Sequence, residues 1–276
     1  MRHPPGTSSR RKRDGMPSAG PRSFRSAQAF LVRSADAGET DRRVTFFTRT
    51  EGLVSLMAKA AHRSRKRFGG GLQKYFLLDV SWTEAPGRMP VLESIALLES
   101  FWEIVTDWER VRHADHLLEL AAALFPQPGP KPKAFDVLLA GIRSLASGDP
   151  PPVPARKSEA ALLAVAGWGP NFSACRRCGL PIGDISTSPR GRGVRFVPSE
   201  GGVLCGNCPG GEGTRLSLGA VKTWSALQAS SPGVLARVRI SDIILEELQL
   251  VIPKYLEYCL GRPLRSLGGS SASENP

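Results

Sequence analysis

From residue 27, apolar positions in the first third of the chain fall in short β-prone runs. Polar or glycine-containing turns separate these runs. Short runs of this kind between turns predict several short strands rather than helices. Between the second and third runs, Thr50-Glu51-Gly52 predicts a tight turn in which glycine supplies a positive φ. The five predicted strands span residues 27–34, 42–49, 53–59, 74–82 and 91–98.

Five short strands within residues 25–100 fit a small closed barrel. The oligonucleotide-binding (OB) barrel is the commonest five-stranded barrel that follows a nucleic-acid strand. We therefore expect an α+β protein that begins with an OB-fold domain.

Beyond residue 99 the apolar residues recur at three- and four-residue spacing, which predicts a helical domain over residues 101–265. Prolines at 126–132 and 150–154 separate the helices, because proline lacks the amide that would continue a helix. A kink is expected at Pro253 in the last helix. The predicted helices span residues 99–112, 114–125, 135–146, 159–167, 218–229 and 240–258.

Both ends of the chain are predicted to be disordered. Residues 1–24 are rich in Pro, Gly, Ser and Arg, include the basic run Arg10, Arg11, Lys12 and Arg13, and have few apolar side chains to offset chain entropy. They form either a solvated tail without function or an auxiliary DNA contact. Residues 266–276 are expected to be a second disordered tail.

Four of the five cysteines form two CxxC pairs, Cys175 with Cys178 and Cys205 with Cys208, separated by 26 residues. Two such knuckles can place four thiolates around one zinc ion. A closed four-cysteine site has no open position for substrate, so we expect one structural Zn²⁺ in a ribbon at about residues 172–210. The alternatives are a redox CxxC pair and unligated structural thiols. Cys259 is expected to be a buried core thiol.

The formal net charge is +12, and it is concentrated near the start of the chain. Residues 1–80 hold 17 Lys and Arg against 6 Asp and Glu, whereas the remainder holds 20 against 19. A localised excess of this kind is what a phosphate-binding face requires.

The segment after the third strand holds five basic residues in nine and then three consecutive glycines. With nearby basic side chains it predicts a groove that binds nucleic-acid backbone. Phe46, Phe47, Phe68 and Tyr75 are candidate stacking platforms, although core packing is the favoured role for each. The predicted nucleic-acid-binding residues are Arg42, Arg43, Lys59, Arg63, Arg65, Lys66, Arg67 and Lys74.

No catalytic motif stands out. The sequence contains no phosphate loop, GxSxG or HExxH motif, and the pair His113 and His116 is expected on a solvated helix surface. We therefore expect a protein that is not an enzyme. No apolar run is long enough to cross a bilayer and residues 1–24 lack a signal-peptide core, so a cytoplasmic, nucleoid-associated protein is expected.

Four segments together resemble the N-terminal barrel of the RecO family: residues 29–33, 38–43, 47–54 and 59–63. They contain a Gly-Glu-Thr turn, a Thr-x-x-x-Gly turn and a basic segment that follows a strand. The two CxxC pairs within a helical body are similar to RecO forms that retain a zinc site. Ala60 departs from the pattern, because the family often has glycine there, and so does the basic N-terminal tail.

The resemblance implies a recombination mediator in DNA repair. Such a protein binds single- and double-stranded DNA, anneals complementary strands, partners with RecR, contacts the single-strand-binding protein SSB through its helical body and helps to load RecA. Two other classes remain as alternatives: a zinc-ribbon module that binds RNA or acts in transcription, and an unrecognised nuclease.

Overall fold

The fold was analysed in a computed structural model that describes residues 22–63, 68, 72–185, 193–209, 212–235 and 237–266. Residues 1–21 and 267–276, which include most of the two tails expected to be disordered, lie outside the described residues.

All five predicted strands are present and form a closed barrel in the order β1-β2-β3-β5-β4. A parallel pairing of Met57 with Val91 joins β3 to β5, and the other neighbours are antiparallel. β1 is long enough to pair first with β4 and then, past an irregularity between Leu31 and Arg33, with β2. The strands are β1 (Ser23–Asp36), β2 (Arg42–Thr48), β3 (Gly52–Ala58), β4 (Leu77–Glu84) and β5 (Val91–Glu99).

Both faces of β2 are buried, against different partners. Phe46 faces the barrel interior, in the cluster that also holds Leu31 and Trp82. Phe47 faces outward, and its ring centroid lies 6.3 Å from that of Phe125 and 6.4 Å from that of Phe135. The sequence-based expectation that Phe46 and Phe47 occupy opposite faces is confirmed.

The remaining chain is mainly helical, with a small sheet inserted in the order β7-β6-β8. The strands of this sheet are β6 (Val194–Val197), β7 (Gly202–Cys205) and β8 (Thr214–Leu216). The helices are α1 (Trp102–Val105), α2 (Trp108–Leu124), α3 (Pro132–Ala146), α4 (Pro152–Val165), α5 (Ile182–Ile185), α6 (Leu218–Ala229), α7 (Pro232–Leu235) and α8 (Asp242–Leu260).

The prediction of a helix at residues 99–112 is wrong. Glu99 ends β5, and the long helix starts at Trp108 instead. The Asp107 carboxylate accepts hydrogen bonds from the amides of Glu109 and Arg110, which fixes the helix start at this position. α2 then runs through the break expected at residue 113.

The proline-rich joint at residues 150–154 also differs from the prediction. Pro152 begins α4 and Pro154 lies in its first turn, where the backbone amides have no helical partner to lose. The prolines therefore start this helix seven residues before the predicted start at residue 159.

His113 and His116 are buried, contrary to the expectation of a solvated surface. The His116 Nε2 lies 2.5 Å from Glu159 Oε1, and the Arg156 guanidinium lies 2.7 Å from the same oxygen. Burial, and next the charge of Arg112, lower the pKa of His113 to about 4, so it is neutral near pH 7. Sequence reasoning missed these burials because α2 packs its histidines toward α4, whose own charged residues Arg156 and Glu159 are buried.

Within the described residues, no helix is long and apolar enough to span a membrane.

We predict that Gly52→Ala destabilises the protein by about 2–4 kcal/mol, from left-handed strain and overpacking together. Gly52 has φ 69°, and an added Cβ would lie 2.8 Å from the carbonyl oxygen of Gly129, in the segment that joins α2 to α3. Urea unfolding measures the effect.

Gly87→Ala is the matched control, because Gly87 has φ 68° and open space around its Cα. It should cost only the backbone strain, about 1–2 kcal/mol. Equal losses for the two variants would show that the contact with Gly129 does not constrain the β2–β3 turn.

Candidate nucleic-acid interface and metal centre

Four of the predicted basic residues gather at one end of the barrel, called here the basic end: Arg42, Arg43, Lys59 and Arg63. Arg42 and Arg43 begin β2 and pair in register with Ala58 and Met57 at the end of β3. Lys59 and Arg63 follow in the turn directly after β3. Strand pairing thus brings together residues that are 16 or more positions apart in the sequence.

The turn that carries Lys59 and Arg63 is tied to the β1–β2 hairpin. The Asp41 carboxylate accepts a hydrogen bond from the Ala60 amide at 2.8 Å, and the Thr40 carbonyl accepts one from the His62 amide at 3.2 Å. The bond from the Ala60 amide, and next one that the Thr40 hydroxyl donates at 3.1 Å, lower the pKa of Asp41. Backbone hydrogen bonds therefore hold this basic turn against the β1–β2 hairpin.

Acidic residues partly neutralise the basic end. Asp36 lies 3.3 Å from Arg42 and 3.1 Å from His62. Arg43 and Arg63 are exposed, and no carboxylate in the described part of the chain lies within ion-pair distance of either. These two arginines are the basic residues here that are best placed to meet a phosphate.

Two of the predictions about this group need qualification. Arg65, Lys66 and Arg67 lie outside the described residues. Lys74 is not at the basic end: it lies beside α2, where its ammonium is 2.8 Å from Asp115.

A cavity of about 440 Å³ adjoins Lys59 and contains two basic residues that the sequence reasoning missed, Arg22 and Arg88. Met57 and Met89 supply apolar walls, and Glu84 and Glu93 add negative charge. Arg22 was missed because residues 1–24 were predicted to be a disordered tail. Arg88 lies in the β4–β5 loop and is a single basic residue with no local charge run to mark it.

The candidate stacking aromatics are all buried: Phe46, Phe47, Phe68 and Tyr75 are at most 8% exposed. Core packing, the favoured role, is confirmed for each. The exposed aromatic at this end is instead Phe24, which is 66% exposed and pairs in register with Thr83, a residue of the cavity wall. Its position in the arginine-rich stretch before the first predicted strand concealed it.

The two CxxC pairs converge on one point. The four sulfurs of Cys175, Cys178, Cys205 and Cys208 lie within 4.8 Å of one another, with 3.7 Å between Cys175 and Cys208 and between Cys178 and Cys205. A tetrahedral ion with metal–sulfur bonds of about 2.3 Å requires sulfur separations of about 3.8 Å. The geometry therefore fits a four-thiolate metal site, as the spacing predicted.

Backbone amides favour the thiolate form of Cys175. Burial alone would raise its pKa, but hydrogen bonds from the amides of Cys178, Cys205 and Arg177 lower it to about 6. Gly179 supports the first knuckle with φ 73°. The Arg195 guanidinium donates to the Cys208 carbonyl, so a cation lies beside a cluster whose four thiolates would carry net negative charge.

Cys259, expected to be a buried core thiol, is only partly buried against the helical core.

We predict that Ala60→Gly stabilises the protein by about 1 kcal/mol. Ala60 has φ 53°, a left-handed conformation that costs a residue with a Cβ about 1–2 kcal/mol, partly offset by the greater freedom of glycine in the unfolded chain. Thermal unfolding measures the change. Ala61→Gly is the control and should be destabilising, because Ala61 packs against the barrel core and has no positive φ. A lower melting temperature for Ala60→Gly than for Ala61→Gly would contradict the argument.

Comparison with known proteins supplies the family. Residues 24–101 match the family described as "Recombination protein O N terminal", and residues 105–268 match "Recombination protein O C terminal". A DNA repair protein RecO from Anaeromyxobacter dehalogenans is 35% identical over 85% of this chain and 91% of that relative. Another, from Moorella thermoacetica, is 31% identical over 87% of this chain and 88% of that relative. The boundary between the matched regions falls between β5 and α2, where the barrel gives way to the helical body, and the chain belongs to the RecO family.

Proposed function

We propose that this protein is a non-catalytic recombination mediator in DNA repair. It binds single- and double-stranded DNA, anneals complementary strands and, with RecR, helps to load RecA on SSB-coated DNA. Membership of the RecO family supports the repair and recombination role. The observation that carries the proposal is the gathering of exposed cations at the basic end of the barrel.

At this end, basic side chains bind phosphate oxygens and release condensed counterions, which provides the affinity. Arg43 and Arg63 are exposed, and no carboxylate among the described residues lies within ion-pair distance of either. Arg22 and Arg88 extend the basic surface into the adjoining cavity. Phe24 offers an exposed ring on which a base can stack. Contacts of these kinds read backbone and base faces, so binding has little sequence preference.

Annealing follows from the same electrostatics. Two complementary strands repel each other through their phosphates, and a cationic surface that holds both lowers this repulsion until base pairs form. No bond is made or broken by the protein, so the activity requires neither nucleotide hydrolysis nor a catalytic metal.

The metal of the four-cysteine cluster is proposed to be one structural Zn²⁺. Four sulfur ligands in tetrahedral arrangement are typical of zinc, and the closed site leaves no position for substrate. Cys175 and Cys178 precede α5, whereas Cys205 ends β7. The ion would therefore tie the segment before α5 to the end of β7 and staple the insert.

RecR and SSB are proposed as protein partners and RecA as an indirect one, with the helical body receiving SSB. Their support is the family membership. Under this proposal the protein acts on DNA and is therefore expected with the nucleoid in the cytoplasm.

We predict that Arg43→Glu, Lys59→Glu and Arg63→Glu combined weaken binding to a labelled single strand and slow the annealing of SSB-coated oligonucleotides. Loss of three phosphate contacts should reduce the slope of log affinity against log salt concentration by about 2. The ratio of the parent's affinity to the variant's then changes about 20-fold between 50 and 200 mM salt. Fluorescence anisotropy gives the affinity, and a strand-annealing assay without ATP or magnesium gives the activity.

The charge-matched control is Lys222→Glu, Arg237→Glu and Arg239→Glu, three exposed or partly exposed positions in the helical body. It should leave the salt slope near that of the parent protein. Equal effects of the two triple variants would remove the basic end as the binding site. A strong preference for RNA would favour the RNA-binding alternative, and metal-dependent strand cleavage would favour a nuclease.

For the metal, we predict close to one zinc per chain by elemental analysis of protein purified under reducing conditions. Cys178→Ser should lose most of the zinc and several kcal/mol of stability, because metal binding and folding of the insert are coupled. Cys259→Ser is the control and should keep its zinc, since Cys259 is not in the cluster. A zinc content near zero in the parent protein would refute the assignment.

A further inference from the structure

A second basic concavity lies where the barrel meets the helical body. This junction cleft has a volume of about 590 Å³, within the roughly 300–1,000 Å³ range of ligand sites. Its charged lining comes from β1, from the segment before β4, from α2 and from the segment after α8. The charged residues are Arg33, Lys74, Asp115, Glu119, Arg262 and Arg265.

The segment after α8 is fixed in this position by Glu119 of α2. Its two carboxylate oxygens accept hydrogen bonds from the backbone amides of Arg265 at 3.1 Å and Ser266 at 3.0 Å. Burial opposes ionisation of Glu119, but these amide bonds hold its pKa below the ordinary value. The contact uses the backbone of the segment. The charge of Arg262 also lowers the pKa of Glu119, but the two groups form no ion pair, so the guanidinium groups of Arg262 and Arg265 can still meet a ligand.

The two carboxylates in the cleft are already engaged. Asp115 accepts from the Lys74 ammonium at 2.8 Å, and Glu119 accepts from the two backbone amides. Among the described residues, no carboxylate lies within ion-pair distance of the guanidinium of Arg33, Arg262 or Arg265. The cleft therefore carries an excess of positive charge that no nearby acidic group neutralises by direct contact.

Arg33 connects the junction cleft with the basic end. It lies opposite Thr45 in the β1–β2 register, and Arg43 is two residues along β2 from Thr45. Side chains in this diagonal relation lie about 7–8 Å apart on the same face of a sheet. An extended polyanion held at Arg43 can therefore pass directly to Arg33.

We propose that the junction cleft is a further nucleic-acid contact, in which Arg33, Arg262 and Arg265 hold the phosphate backbone of a strand that continues from the basic end. This inference rests on the proposed function and extends its interface across the boundary between the two domains. An acidic peptide is the less favoured occupant, because Val32 is the one apolar side chain among the described lining residues and gives a peptide little to anchor on.

The test compares a short and a long single-stranded oligonucleotide, of about 6 and about 20 nucleotides. A small barrel alone can accommodate the short one, whereas the long one can also reach the cleft. Arg262→Gln with Arg265→Gln should leave the affinity for the short oligonucleotide unchanged. For the long one it should flatten the salt slope by about 1.4, or about a sevenfold change in relative affinity between 50 and 200 mM salt.

Arg237→Gln with Arg239→Gln is the matched control, because both positions are exposed and neither lines the cleft. Thermal unfolding of each variant checks that the segment after α8 remains docked. If the double glutamine variant melts at a lower temperature, Arg33→Gln, which changes the cleft from the barrel side, tests the same prediction.

The outcomes separate this inference from the proposed function. If the double glutamine variant binds the long oligonucleotide more weakly and the short one equally well, the cleft is supported as a DNA contact. If its affinity and salt slope are unchanged for both lengths, the proposed role of the cleft is overturned, whereas the proposed role of the basic end is unaffected. If the barrel variant Arg43→Glu, Lys59→Glu and Arg63→Glu binds both oligonucleotides as tightly as the parent protein does, the proposed function itself is overturned. An Asp-rich peptide that binds the parent protein but not the double glutamine variant, with DNA binding unaffected, would assign the cleft to a protein tail.

Discussion

The contact between the outer face of the barrel and the helical body joins the two domains and forms the junction cleft at its edge. A small barrel normally turns polar residues outward, but here Phe30 and Phe47 point outward and are fully buried. Their rings lie 5.6 Å and 6.4 Å from that of Phe135 in α3. Burial of two phenylalanines contributes several kcal/mol, which is large beside the net stability of a domain. The barrel is thereby joined to the helices along β1 and β2, and its basic end stays open.

This attachment also creates the junction cleft, which is lined by both domains. Because β1 packs on the helical body at Phe30 and Val32, the next residue, Arg33, emerges at the edge of the contact, opposite α2. The bulge between Leu31 and Arg33 changes the direction of the strand at this point.

Concentrating like charges has a cost that the fold reduces locally. Arg42 is paired with Asp36, the basic turn is held through Asp41, and Lys74 is paired with Asp115. Each carboxylate is engaged by a cation or a backbone amide, so the exposed arginines retain their charge toward solvent. The same arrangement recurs at the cysteine cluster, where Arg177 is paired with Glu200 and Arg195 donates to the Cys208 carbonyl.

Local pattern determined much of this protein. Short β-prone runs between turns predicted all five strands within a few residues, and the CxxC spacing predicted the four-sulfur cluster, because strand propensity and knuckle geometry depend on neighbouring residues. Tertiary structure decided which charges share a surface. It gathered Arg22 and Arg88 with Lys59, moved Lys74 to the junction and buried His113 and His116, because strand pairing and helix packing join residues that are far apart in the chain.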